Sequence, residues 1–176
     1  MSKANYTCYL VAIVTLAASS ASAHITLENR MATIGAGYKA VFAVPHGCAG
    51  SATIKIRVQI PEGVIAVKPM PKPGWNVEVI KGKYSSDYEL HGTRISEGVK
   101  EVVWSGGKLP DDNYDEFVVS TFLTGALKPD TVLYFPTVQE CEQGTSRWIE
   151  VPAEGHADQA HESKWPAPGV KLVSQP

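Results

Sequence analysis

Short runs of alternating apolar and polar residues, each closed by Gly or Pro, constrain this chain more than any other feature. The clearest is Thr53-Ile54-Lys55-Ile56-Arg57-Val58-Gln59-Ile60. Its period of two predicts a half-buried antiparallel strand with Ile54, Ile56, Val58 and Ile60 inward and Lys55, Arg57 and Gln59 outward. Tyr38–Val44 reads as another strand, stopped by Pro45 and Gly47. Further strands are expected over Trp75–Ile80, Ser86–Leu90, Lys100–Ser105, Glu116–Leu123, Thr131–Gln139 and Arg147–Val151. Turn clusters such as Pro71-Lys72-Pro73-Gly74 and Pro110-Asp111-Asp112-Asn113 separate them. No stretch sustains a 3.6-residue period, so the expected fold is all-β: a single antiparallel β-sandwich, immunoglobulin- or cupredoxin-like.

Beyond Pro152 the composition turns polar, with Pro166 and Pro168 opposing a helix. The expected organisation is a β-sandwich domain over 24–152 and an extended tail over 153–176, lying on the sandwich as a strap that ends in at most one short edge strand.

Met1–Ala23 has the three parts of a secretory signal peptide: Lys3, an apolar run over Tyr9–Ala17, and the small-residue site Ala21-Ser22-Ala23. The apolar run falls short of the roughly 20 residues that span a bilayer. Cleavage after Ala23 would leave His24 first in a periplasmic or secreted chain with no membrane span. A formal net charge of −2 without a basic cluster argues against nucleic-acid binding. Of three cysteines, Cys8 lies in the leader, and an oxidising compartment favours pairing Cys48 with Cys141. The alternative, two thiolates holding a soft metal, lacks a C-x-x-C spacing.

Cleavage would place an imidazole and a free α-amine on His24. Both titrate near neutrality, at about 6.5 and about 7.7 to 8.0, so a metal ion can displace their protons and close a chelate ring. Nitrogen donors in tetragonal geometry suit Cu(II), which heads the divalent affinity order. His46, beside Gly47-Cys48, reads as a loop residue, and His156 and His161 with Asp158 offer a weaker second set of donors. Met70 is a lone thioether outside any Met-x-x-Met pattern.

His24-Ile25-Thr26-Leu27-Glu28, Val44-Pro45-His46-Gly47-Cys48, Arg57–Val64, Lys72-Pro73-Gly74-Trp75, Asp115-Glu116-Phe117, Tyr134–Gln139, Arg147-Trp148 and Pro166-Ala167-Pro168 together resemble the YcnI-like family of exported copper-binding proteins. The resemblance runs over nearly all of the chain after Ala23. It implies an all-β domain that handles copper through a single-histidine brace: the N-terminal His, here His24, with a Glu and a nearby Trp. Trp148 best matches the aromatic position. For the carboxylate, Glu28 stands about 13 Å from His24 along an extended strand, so Glu116, reachable across strands, is the first choice and Glu28 the second. A carboxylate in place of a second histidine favours Cu(II) binding and delivery to a trafficking partner over oxidative turnover. A brace-type oxidase would need His46 or His91 as that second imidazole, and a structural sandwich would leave His24 incidental. No motif of a hydrolase, nucleotide-binding enzyme or zinc protease is present.

Overall fold

The computed structural model describes residues 24–153 and 163–175. The signal-peptide reading of Met1–Ala23 and the donors His156, Asp158 and His161 lie outside the described residues.

The described chain is all-β, with strands β1 (Thr26–Leu27), β2 (Met31–Thr33), β3 (Gly37–Val44), β4 (Thr53–Gln59), β5 (Val64–Pro69) and β6 (Asn76–Leu90). They are followed by β7 (Thr93–Leu109), β8 (Asp115–Leu123), β9 (Val132–Tyr134), β10 (Thr137–Cys141), β11 (Thr145–Trp148) and β12 (Gly169–Val173). One sheet has the order β1-β3-β8-β5 and the facing sheet β11-β10-β4-β7-β6, with a small sheet β2-β12-β9 at the side. Alternation along β3 and β8 sends Ala40, Phe42, Val44, Phe117 and Val119 into the core, where they meet Ile56, Val58, Val102 and Trp104 of the other sheet. Edge-to-face rings tie the layers: Phe117 lies 5.4 Å from Trp104 and 5.0 Å from Trp75, and Phe42 lies 5.7 Å from Phe135.

Several boundaries differ from the sequence reading for identifiable reasons. The runs expected over Trp75–Ile80 and Ser86–Leu90 join, from Asn76 on, into one long strand, β6, which pairs with β7 through two irregularities. At the tip, His91 and Gly92 both take positive φ (50° and 78°), the conformation of a two-residue primed turn, so the hairpin needs no longer loop. Thr131–Gln139 splits into β9 and β10 at Phe135-Pro136, because the proline has no N–H for a ladder. A bulge between Thr53 and Lys55 shifts the register, burying Thr53 and leaving Ile54 half-exposed. Val118, which alternation turns to the face opposite Phe117, is also buried, as is its cross-strand partner Val41. The tail does not end on an edge. β12 lies between β2 and β9, parallel to the first and antiparallel to the second. Val170 and Leu172 join the core, each stabilising it by about 1.5 to 3 kcal/mol on burial.

Cys48 and Cys141 form a disulfide, with Cα atoms 6.0 Å apart and a sequence separation of 93. The sulfurs are therefore not a thiolate pair. The bridge ties the loop after β3 to the end of β10.

Candidate metal centre

His24 precedes β1, at the edge of the four-stranded sheet. Thr26 pairs with Ala43 and Leu27 with Phe42, while Ile25 and Leu27 are buried and anchor the segment on the core. His24 itself is half-buried. Its imidazole packs against Trp148 with ring centroids 5.4 Å apart and planes at 83°.

Trp148 stands at the end of β11, the edge strand on the same side of the facing sheet, and is 1% exposed. A buried indole N–H needs an acceptor, and Gln139 Oε1 supplies it at 3.0 Å. The Gln139 amide in turn donates to the His46 carbonyl and to Thr53 Oγ1, both at 2.7 Å. Every donor and acceptor function of this buried side chain is thus engaged, which fixes the indole facing His24. On another side Trp148 meets Trp165, at 4.9 Å and 64°. The strap carrying Trp165 is held by Glu150, whose backbone N–H donates to the Trp165 carbonyl (3.0 Å) and whose carbonyl accepts from Ala167 (2.9 Å). Glu150 Oε2 also accepts from the Trp165 N–H at 3.2 Å.

Glu116 and Glu28, the two carboxylates expected to join His24, both lie near Tyr114. Glu116 is the cross-strand partner of Ala43, itself the partner of Thr26, so it lies two strands from β1, about 10 Å at the usual spacing. Its Oε1 accepts from Tyr114 at 2.7 Å. That hydrogen bond, with burial and the further negative charges of Glu28 and Asp115, pushes the Tyr114 hydroxyl up to about 12. Glu28 and Glu116 therefore share a neighbourhood around Tyr114, and Lys72 braces it by donating to Asp115 Oδ1 (2.6 Å) and to the Glu116 carbonyl (2.9 Å). Among the described residues no three side chains of His, Cys, Asp and Glu converge into a ligand cluster. The donor set at His24 accordingly fits a metal only if its α-amine serves as one ligand beside the imidazole.

His46 Nδ1 donates to the Gly47 carbonyl at 2.5 Å, and the ring of His91 lies 6.3 Å from Phe122 at the hairpin tip. Gln139 and Trp165 escape sequence reading. The signal for Gln139 is its place in Phe135, Thr137, Gln139, where alternation carries a polar residue into the core. Trp165, between Lys164 and Pro166 in a polar tail, carries no such signal.

A family profile described as "Domain of unknown function (DUF1775)" matches residues 24–172. The chain belongs to the DUF1775 family. This is the YcnI-like family of the resemblance, and the DUF1775 match begins at His24 itself. A crystal structure of an uncharacterized protein from Nocardia farcinica, described as revealing an immunoglobulin-like fold, superposes with a TM-score of 0.61. It is 23% identical, over 85% of this chain and 98% of that one, and so supports the fold alone. No curated protein matches the chain.

Proposed function

We propose that the protein is an exported copper-binding protein that takes up Cu(II) at His24 and passes it on or buffers it, without catalysing a reaction. The observation that carries this reading is the His24 imidazole held against Trp148 at the first residue of the family domain. Cleavage after Ala23 would supply the α-amine as the second nitrogen. Bound copper would contribute a Cu(II) centre of tetragonal preference.

The chain's own residues set how that centre behaves. Trp148, locked by Gln139, closes one side of the imidazole to water and presents a soft aromatic face. The half-buried position of His24 leaves another side open, as transfer to a partner requires. A carboxylate is the third donor. Glu116 and Glu28 are the candidates from sequence, and Glu150 joins them because its segment pairs with Pro166, which lines the same groove as His24.

The test is a Cu(II) titration followed by electron paramagnetic resonance, on protein starting at a free His24 and on protein with one residue added before it. One-to-one binding with nitrogen hyperfine structure, lost on the extended protein, is expected. Equal binding by both would remove the amine from the site and overturn the reading. Substituting Gln for Glu116, Glu28 and Glu150 in turn identifies the carboxylate, and no change in any of the three spectra would eliminate that donor.

A further inference from the structure

One long edge of the sandwich is unpaired. β6 ends the five-stranded sheet, with β7 on one side and, among the described residues, no strand on the other. Which of its backbone groups point outward follows from the neighbouring strands. The Gln59 N–H donates to the Pro136 carbonyl at 2.9 Å, so Gln59 of β4 faces β10, and its ladder partner Glu101 of β7 faces β6. Glu101 lies opposite Ile80, so Ile80 and Glu78 turn their backbone groups to β7, and Val77 and Val79 turn theirs outward. The irregularity after Ile80 skips Lys100 on β7, so the alternation of β6 runs on and Lys81 and Lys83 also face outward.

The side chains of these four residues share the inner face of the sheet, since Val77, Val79 and Lys81 lie opposite the core residues Trp104, Val102 and Val99. Val77 and Val79 are nonetheless 36% and 38% exposed. The four-stranded sheet ends at β5, which packs across from β7, and among the described residues no fifth strand lies over β6. What remains there is an open groove of about 690 Å³, with Pro69 and Trp75 on its other wall. Lys81 and Lys83 are exposed, and among the described residues neither has a carboxylate within ion-pair distance.

We infer that β6 takes up an extended acidic segment of a partner polypeptide as a sixth strand of the sheet, with apolar side chains beside Val77 and Val79 and carboxylates beside Lys81 and Lys83. Main-chain bonding at an open edge supplies affinity, and alternate side chains supply the choice of partner. Lysines on an edge ordinarily deter pairing, and opposite charges directly across the ladder reverse that effect. A second copy of this chain does not bring those charges. The β6 ladder is regular over residues 76–83 and is interrupted between Lys83 and Tyr88. When two such stretches pair, outward residues meet outward residues, so the lysines meet Val77, Val79 or each other, and Glu78, on the opposite face, reaches neither. The inference goes beyond copper binding and does not rest on it, because β6 and β11, which carries Trp148, are the two opposite edges of the sheet.

The test uses metal-free protein in EDTA and a fluorescent heptapeptide, glutamate-threonine-glutamate-threonine-valine-threonine-valine, which matches residues 77–83 when it runs antiparallel to them. Its companions carry glutamine for both glutamates, an N-methyl group on the first valine, or an N-methyl group on the threonine before it. Saturable binding is expected. It should weaken about tenfold on N-methylation of the valine, whose N–H faces β6, and far less on N-methylation of the threonine, whose N–H faces away. Glutamine for both glutamates, or Lys81→Gln with Lys83→Gln in the protein, should weaken it about fivefold at low salt. Amide exchange followed by NMR gives a second readout. In the free protein Val77, Val79 and Lys81 exchange faster than Glu78 and Ile80, and saturating peptide slows them about tenfold. No saturation by about 1 mM, the weak limit of specific recognition, equal weakening by the two N-methyl groups, undiminished binding of the glutamine peptide, or amides left unprotected would overturn the inference. So would protection of the same amides by rising protein concentration alone, the mark of a second copy, or binding to phosphatidylglycerol vesicles but not to peptide. Failure of the copper titration alone would leave it intact.

Discussion

Replacing Gln139 by Leu tests whether the buried amide holds the His24 site together. Leu has nearly the volume of Gln but no polar atoms, so packing changes little while three hydrogen bonds disappear. Two of the groups released are sealed from water: the Trp148 indole N–H, on a side chain 1% exposed, and Thr53 Oγ1, on a residue 0% exposed, which keeps only a weak contact to Cys141 Sγ at 3.7 Å. Each orphaned group costs about 1 to 3 kcal/mol. The third, the His46 carbonyl, belongs to a half-buried loop residue where water can substitute. The expected destabilisation is therefore about 2 to 6 kcal/mol, read as a lower midpoint in urea at unchanged m-value, with Tm falling by about 2 to 4 °C for each kcal/mol. Trp148→Phe alone leaves the Gln139 Oε1 acceptor unpaired. In the double variant neither orphan of that pair remains, so its cost should fall about 1 to 2 kcal/mol short of the sum. A loss below about 1 kcal/mol for Gln139→Leu, or strict additivity in the cycle, would refute the claim that the amide network positions Trp148.

Three further outcomes follow from other parts of the molecule. Replacing Cys48 and Cys141 together by Ser should destabilise the fold by up to about 4.7 kcal/mol, the chain-entropy value for so long a loop, checked by urea unfolding. The Tyr38 hydroxyl, buried and donating to the Asn29 carbonyl at 2.6 Å, has its pKa pushed by burial up to about 12. A raised folded-state value favours the neutral form, so its contribution is intact below about pH 10 and is lost as pH rises through about 12; phenolate absorbance of the wild type against Tyr38→Phe reads this directly. Burial raises the Glu62 carboxyl, but Lys100, the Tyr88 hydroxyl and the Ser85 N–H outweigh it and hold it below the ordinary carboxylate range. Its stabilisation is present above the unfolded pKa near 4.3 and is lost as pH falls through the lower folded value. Glu62→Gln should therefore flatten the acid limb of the stability profile.

Period-two alternation made the β-sandwich legible from sequence, because a strand half-buried in an antiparallel sheet must alternate. Ile56, Val58, Phe42 and Phe117 all point where their spacing places them. The two remaining cysteines left one intramolecular pairing, and His24 with Trp148 could be singled out from the residues and the family pattern. Register and layer order were not legible, since they depend on which strands meet. The bulge at Thr53, the joining of β6 into one strand and the burial of β12 between β2 and β9 all arise there. The same cause hid the contacts around His24. Local sequence cannot say that Trp148, 124 residues downstream by its numbering, meets His24 across the sandwich edge, or that Glu116 turns to Tyr114. Tertiary structure decided those contacts, because a side chain's neighbours are set by the packing of two sheets and a proline-bearing strap, and only a short-range pattern is written along the chain.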